Sequence, residues 1–179
     1  PAHGSDPAVP YRLACLCDLR DKDGRRLLLR RSRSPNRGLC SPIGGKLDIL
    51  TGESPADCAR REIREEAGLD LPLSRLHLLG LIAEQAYEGN AHWLLFYFRV
   101  LGPVWVEPHD MEEGRLDWFH PHELDALPLP ETDRTILWPL IARVEAQTPA
   151  GRHGFFSLHI DCRSGTLVPR IDQLIPAVG

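Results

Sequence analysis

Residues Gly44 to Leu69 read GGKLDILTGESPADCARREIREEAGL, and this stretch decides the fold. Ser54-Pro55-Ala56-Asp57 has the pattern of a capped helix start with proline at the first helical position. The helix is predicted to run to Ala67, with Gly68 as its stop. At about 100° per residue, Glu62, Glu65 and Glu66 share about 100° of arc, while Ala56, Ala59, Ile63 and Ala67 form an adjoining apolar stripe. The helix can therefore pack on a core and present a carboxylate cluster beside it. Two carboxylates about 5 Å apart repel by roughly 3 kcal/mol at an effective dielectric of about 20. The acids also sit in the last two turns, where the helix dipole disfavours them. A solvated face with an Arg61–Glu65 pair is one use of such a pattern. A bound divalent cation is the other, and all-oxygen ligation selects Mg²⁺ or Mn²⁺. Gly44-Gly45-Lys46 favours the second, because small residues let backbone approach a metal or phosphate, and Lys46 adds positive charge.

Outward from this segment the chain alternates strands and turns. Tyr11 to Leu19 and Arg25 to Arg31 read as strands around the turn Asp21-Lys22-Asp23-Gly24. Ser32 to Asn36 reads as loop and Leu39 to Leu47 as extended chain. Leu76 to Ala86 and His92 to Leu101 form two strands joined at Glu88-Gly89-Asn90. Leu116 to Phe119 is a short extended piece, Pro121 to Leu127 a short helix, and Thr132 to Ala146 an amphipathic helix carrying Ile136, Leu137, Leu140, Ile141 and Val144. After a polar linker at 147–154, Phe155 to Cys162 alternates and turns at Arg163-Ser164-Gly165 into a terminal hairpin. The expected organisation is a loose tail at 1–10, one domain at 11–146, and a linker with C-terminal extension at 147–179.

Composition narrows the functional classes. Of 179 residues, 42% are hydrophobic and 26% charged, which suits a folded globular domain rather than a disordered or fibrous chain. The longest apolar runs, such as Trp93 to Phe98, are strand-sized, so no membrane partner is expected. The net charge of −4 argues against a stable nucleic-acid partner. Five cysteines at irregular spacing, Cys15, Cys17, Cys40, Cys58 and Cys162, make no disulfide framework and read as small buried hydrophobes. Pro1 to Pro10 shows no secretory pattern, so a reducing, cytoplasmic setting is the expectation.

Arg61-Glu62-Ile63-Arg64-Glu65-Glu66-Ala67-Gly68-Leu69 and the seven residues between Glu53 and Arg61 resemble the signature box of Nudix hydrolases at every fixed position. One departure stands out: seven residues, Lys46 to Gly52, separate Gly45 from Glu53, two more than in the family pattern. The resemblance implies an α/β/α sandwich with a mixed sheet, here carrying a short C-terminal β-hairpin extension. It implies hydrolysis of a nucleoside diphosphate linked to another moiety, with Mg²⁺ or Mn²⁺ as cofactor and a small nucleotide as partner. A homodimer is left open.

Mapped onto this chain, the resemblance makes Glu65 and Glu66 principal metal ligands and Glu62 a further ligand or the base that activates water. Arg61 orients a glutamate, the carbonyl of Gly44 or Gly45 completes the shell, and Lys46 meets phosphate. Family members often add a later loop glutamate, for which Glu112, Glu113 and Glu84 are candidates. Substrate contacts are expected from Arg37, Tyr87, Trp118, Glu131 and Asp133, the last three in a region resembling the base-reading part of oxidised-purine triphosphatases. A (d)NTP or oxidised purine nucleotide is the leading substrate class. The alternatives are a dinucleoside polyphosphate, ADP-ribose or nucleotide-sugar hydrolase, or an inactive nucleotide-binding module.

Overall fold

A computed structural model describes residues 10–34, 36–89 and 91–176. Residues 1–9 of the expected tail, Pro35 of the loop and Asn90 of the turn lie outside the described residues. The chain forms two sheets. The first has five strands: β1 (Tyr11–Asp18), β4 (Leu76–Tyr87), β5 (Ala91–Val100), β8 (Phe155–Asp161) and β9 (Val168–Ile175), in the order β1-β5-β4-β8-β9. The second has β2 (Arg26–Arg31), β3 (Cys40–Ser41), β6 (His109–Met111) and β7 (Gly114–Phe119), in the order β3-β2-β7-β6. The five-stranded sheet is mixed, since β1 runs parallel to β5 and β4 parallel to β8.

Helix α1 (Pro55–Ala67) and helix α2 (Trp138–Gln147) cover the two sides. Cys58, Ala59, Ile63 and Ala67 of α1 pack with Cys15, Cys17, Phe98, Leu27, Leu29 and Leu116 in one core. Trp138, Leu140, Ile141 and Val144 of α2 pack with Ile82, Tyr97, Phe156, Leu158 and Ile160 in the other. The expected α/β/α arrangement is therefore present, and the apolar stripe read from α1 is the face it buries. Cys15, Cys17, Cys40 and Cys58 are buried free thiols, as expected, whereas Cys162 is a free thiol that is only partly buried.

Strand register fixes what shares the α2-facing side of the large sheet. Arg12, Trp93, Glu84, Ile160 and Pro169 form one row, and Ala14, Leu95, Ile82, Leu158 and Ile171 the next. Leu16, Tyr97, Gly80, Phe156 and Leu174 follow, and Asp18, Arg99 and His77 close the far end.

Two sequence expectations change. The helix expected from Thr132 contains a π-helical stretch, Asp133–Leu137, before α2 proper begins at Trp138. The extended piece Leu39 to Leu47 is a strand only at Cys40–Ser41, with single bridges from Ile43 to Cys17 and Lys46 to Ala14. The C-terminal hairpin forms, and through β8 it is also a member of the main sheet. No helix among the described residues is long and apolar enough to cross a membrane.

Candidate active site

Ser54 caps α1: its hydroxyl accepts from the Asp57 backbone N–H, and Gly68 ends the helix in the left-handed region at φ 68°. The polar side of the last two turns faces Gly44 and Gly45. The Gly44 N–H donates to Glu66 Oε2 at 3.1 Å. A methyl group on Gly45 would overlap the Glu62 carboxylate, and one on Gly44 (φ 153°) would overlap the Cys15 carbonyl, so only glycine fits either position. Glu62 and Glu66 are buried, at 9% and 6% exposure. Glu113, between β6 and β7, lies near enough to add its negative charge to the surroundings of both.

Arg61 organises the other side of the cluster. Its Nε and Nη2 grip the two oxygens of Glu53 at 2.8 and 2.9 Å. Its Nη1 reaches Glu62 Oε1 at 2.5 Å and Glu65 Oε2 at 3.2 Å, and Nη2 also donates to the Lys46 carbonyl at 3.1 Å. The planar fork suits this task and the point charge of a lysine would not. Hydrogen bonding to Arg61 holds Glu53 below the usual carboxylate range. Burial instead raises Glu62, against the pull of Arg61. Burial, then the charges of Glu62 and Glu113, push Glu66 up to about 8. One guanidinium thus serves a site crowded with carboxyl groups, and the deepest of them carries the unrelieved repulsion.

The lengthened loop leaves this geometry intact. Asp48 accepts from the backbone N–H groups of Leu50 and Thr51 at 3.1 and 3.3 Å, and its own N–H donates to Glu53 Oε2 at 2.8 Å. The extra residues form a closed surface turn that points Ile49 and Leu50 outward, and Glu53 keeps its place on Arg61.

Several expected site residues lie elsewhere. The Gly45 carbonyl accepts the Cys15 N–H at 2.9 Å and the Cys58 thiol at 3.6 Å, so it is committed to β1 and α1, and the carbonyl left for a metal is that of Gly44. Glu112 is a surface residue paired with Arg33 at 2.7 Å, so of the two loop glutamates only Glu113 joins the cluster. Trp118 is a core residue: its indole N–H donates to the Val106 carbonyl at 2.8 Å and its ring stacks on Trp105, which removes it from any substrate. Strand register put it there, because Trp118 pairs with Leu27 and follows it into the α1-side core. Glu131 is exposed at the helix start, whereas Asp133 is buried and faces Glu84. Glu84 therefore belongs with Asp133 and not with the α1 carboxylates. The Tyr87 hydroxyl donates to Asn36 Oδ1 at 3.0 Å, while Lys46 and Arg37 present exposed side chains. Asn36, Trp93 and the Glu84–Asp133 pairing escaped sequence reading, because only long-range strand order brings them together.

The sequence profile of the NUDIX domain matches residues 10–143. NAD-capped RNA hydrolase NudC of Stutzerimonas stutzeri is 35% identical over 108 residues, covering 59% of this chain and 36% of that protein. The uncharacterized Nudix hydrolase YvcI of Bacillus subtilis is 30% identical over 116 residues, covering 64% of this chain and 70% of that protein. This chain therefore spans little more than a third of the NudC relative. Among solved structures, the MutT protein of Bacillus halodurans superposes with a TM-score of 0.65 at 24% identity, covering 93% of this chain and 99% of that one, a likeness of fold.

Proposed function

The chain belongs to the Nudix hydrolase family, and from that premise we propose that it is a divalent-metal-dependent pyrophosphohydrolase acting on a (d)NTP or an oxidised purine nucleotide. The observation that carries the reading is the convergence of Glu62, Glu66 and Glu113 beside Gly44, with Arg61 hydrogen-bonded to Glu62. Hard oxygen donors with uncompensated negative charge fit Mg²⁺ or Mn²⁺. Glu62, Glu65, Glu66, Glu113 and the Gly44 carbonyl would hold the metal, which supplies charge neutralisation for the diphosphate and a more acidic water.

The chain's own residues supply the rest. Arg61 locks Glu53, Glu62 and Glu65 into one arrangement, so the ligand set is organised before substrate arrives. Glu62, buried and raised, is suited to accept a proton from an attacking water. Lys46 has an exposed side chain and a carbonyl held by Arg61, and it would meet phosphate charge. Residues 11–146 are proposed as the catalytic domain.

The test is release of phosphate or pyrophosphate from a panel of nucleotides with Mg²⁺ or Mn²⁺. Expected is turnover abolished by chelator and restored by either metal. Metal-independent turnover, or none on any nucleotide, overturns the reading. Similarity to NudC favours a second reading, a dinucleotide joined through a diphosphate; release of two mononucleotides from NAD would identify it.

A further inference from the structure

The far end of the large sheet, where Asp18, Arg99 and His77 close the last row, opens into a cavity of about 400 Å³. Its walls come from the start of β4, the end of β5, the last turn of α2 and the 148–154 segment that leads to β8. No residue of α1, of the Gly44 segment or of the β6–β7 turn lines it, so it is separate from the proposed metal centre. Charge on the lining is lopsided. Arg20, Arg99 and Arg152 are permanently cationic, His77 and His153 become so on protonation, and Glu145 is the single acid among the lining residues.

The acids here are already satisfied, and the donors are in surplus. Arg20 spends Nε on Asp18 at 3.2 Å, Nη1 on Glu145 at 3.2 Å, and Nη2 on both, at 2.8 and 2.5 Å. Arg99 reaches the same two acids through Nη1 alone. Its Nε and Nη2 meet no acceptor among the described residues, and neither does the guanidinium of exposed Arg152. His77 Nε2 lies 2.6 Å from the Gly154 carbonyl and donates to it, which leaves Nδ1 open, and the His153 ring lies against that of His77 with centroids 4.7 Å apart. Burial, then the charges of His153 and Arg99, hold His77 below the ordinary imidazole range, although its bond to Gly154 pulls the other way. Spare donors and positive charge gathered around one hollow fit an anion.

We propose that this cavity binds the phosphate group of a small organic phosphate, with Arg99, Arg152, His77 and His153 on the phosphate and Leu79 and Val144 against the carbon part. A phosphate presents its oxygens in several directions and carries up to two charges, which suits donors arriving from β4, β5 and the 148–154 segment at once. A flat carboxylate is met by one guanidinium fork and would leave the other donors open. The hollow is larger than one phosphate needs: about 400 Å³ falls within the range of about 300–1,000 Å³ usual for sites that hold a small organic molecule. Buried Leu79 and Val144 give that molecule an apolar wall. The inference goes beyond the hydrolase reading, since it concerns a second site.

The test uses the whole chain, stripped of metal on a chelating resin so that the α1 carboxylates repel anions, and titrates phenyl phosphate into isotopically labelled protein followed by NMR. Saturable amide shifts are expected at Gly102, Arg152, His153 and Gly154, and none at Gly44, Gly45 or Lys46. Inorganic phosphate is expected to bind at the same amides at least about fivefold more weakly, and phenol not at all. Arg152→Ala combined with His153→Asn changes two exposed residues. It is expected to weaken phenyl phosphate at least about tenfold without moving the thermal midpoint, while Arg152→Lys keeps most of the affinity. Shifts centred on the Gly44 segment, no saturable binding at millimolar ligand, or a double variant that binds like the parent overturns the site. Inorganic phosphate that binds as tightly as the ester overturns the organic ligand. No arm reads turnover, so the hydrolase reading stands or falls separately.

Discussion

Two clusters of charge in this molecule are built on opposite plans. In the first, Asp18 is held by Arg26 at 2.6 Å, Arg20 at 2.8 Å and Arg99 at 3.3 Å, with Glu145 closing the far side of Arg20 and Arg99. Burial would raise Asp18, but the three arginines outweigh it and hold its carboxyl below the ordinary range. In the second, Glu62, Glu66 and Glu113 crowd together and Glu66 is driven up to about 8. The first cluster is complete within the chain and ties β1, β2, β5 and α2 together. The second lacks such partners for Glu66, and on the proposed function a cation from outside would supply them. The two differ in whether each buried acid finds a cation within the chain, as Asp18 does and Glu66 does not.

The comparison breaks most severely at Glu66. Glu66→Gln is expected to lower turnover by about a thousandfold, about 4 kcal/mol of barrier, measured as initial rates under saturating Mg²⁺. Above about pH 8 the same change is expected to raise the thermal midpoint of the metal-free protein, because it removes repulsion. A variant both active and less stable would erase the distinction. Asp18→Asn should do the reverse to the fold. It leaves buried Arg26 with only the longer pair to Glu145 at 3.9 Å and is expected to cost about 3 kcal/mol in urea unfolding.

Acidity sharpens the contrast next. Glu66 binds its proton more tightly folded than unfolded, so its contribution is present below its ordinary value of 4.5 and is lost as pH rises through about 8. Asp18 behaves oppositely: its contribution is present above its ordinary 3.8 and is lost as pH falls through its lower folded value. Metal-free melting curves should therefore decline toward alkaline pH by a few degrees, at about 2–4 °C per kcal/mol, and added Mg²⁺ should flatten that limb. A pH-independent midpoint between 5 and 8 would contradict the placement of Glu66. The smallest contrast lies between neighbours. Glu113→Gln is expected to slow turnover about tenfold, while Glu112→Gln changes rate and stability negligibly, as befits an exposed pair with Arg33 worth about 0–1 kcal/mol.

Much of helix α1 was legible because everything that defines it is local: a cap, a proline, a glycine stop and carboxylates at helical spacing. Arg61 and its glutamates follow from the same short stretch. What escaped depended on parity and phase across distance. Trp118 looks like a substrate contact until its pairing with Leu27 sends it to the α1-side core. Glu112 and Glu113 are adjacent in a turn, and only the turn's geometry decides which one enters the cluster. The π-helical stretch at Asp133–Leu137 changes the phase of the helix that follows, so helical periodicity read from α2 misplaces Asp133. Its neighbour Glu84 lies on β4, whose partners β5 and β8 come from segments far apart in the chain.

The parallel seam between β4 and β8 has a practical corollary for anyone shortening this polypeptide. Ending the gene after Ala146 would leave the β4 backbone from Gly80 to Gln85 with a bare edge and would take Phe156, Leu158 and Ile160 out from under α2. An exposed strand over an opened apolar layer invites aggregation rather than a smaller working enzyme. The useful trimming point lies beyond Ile175, well downstream of where the family profile stops at 143.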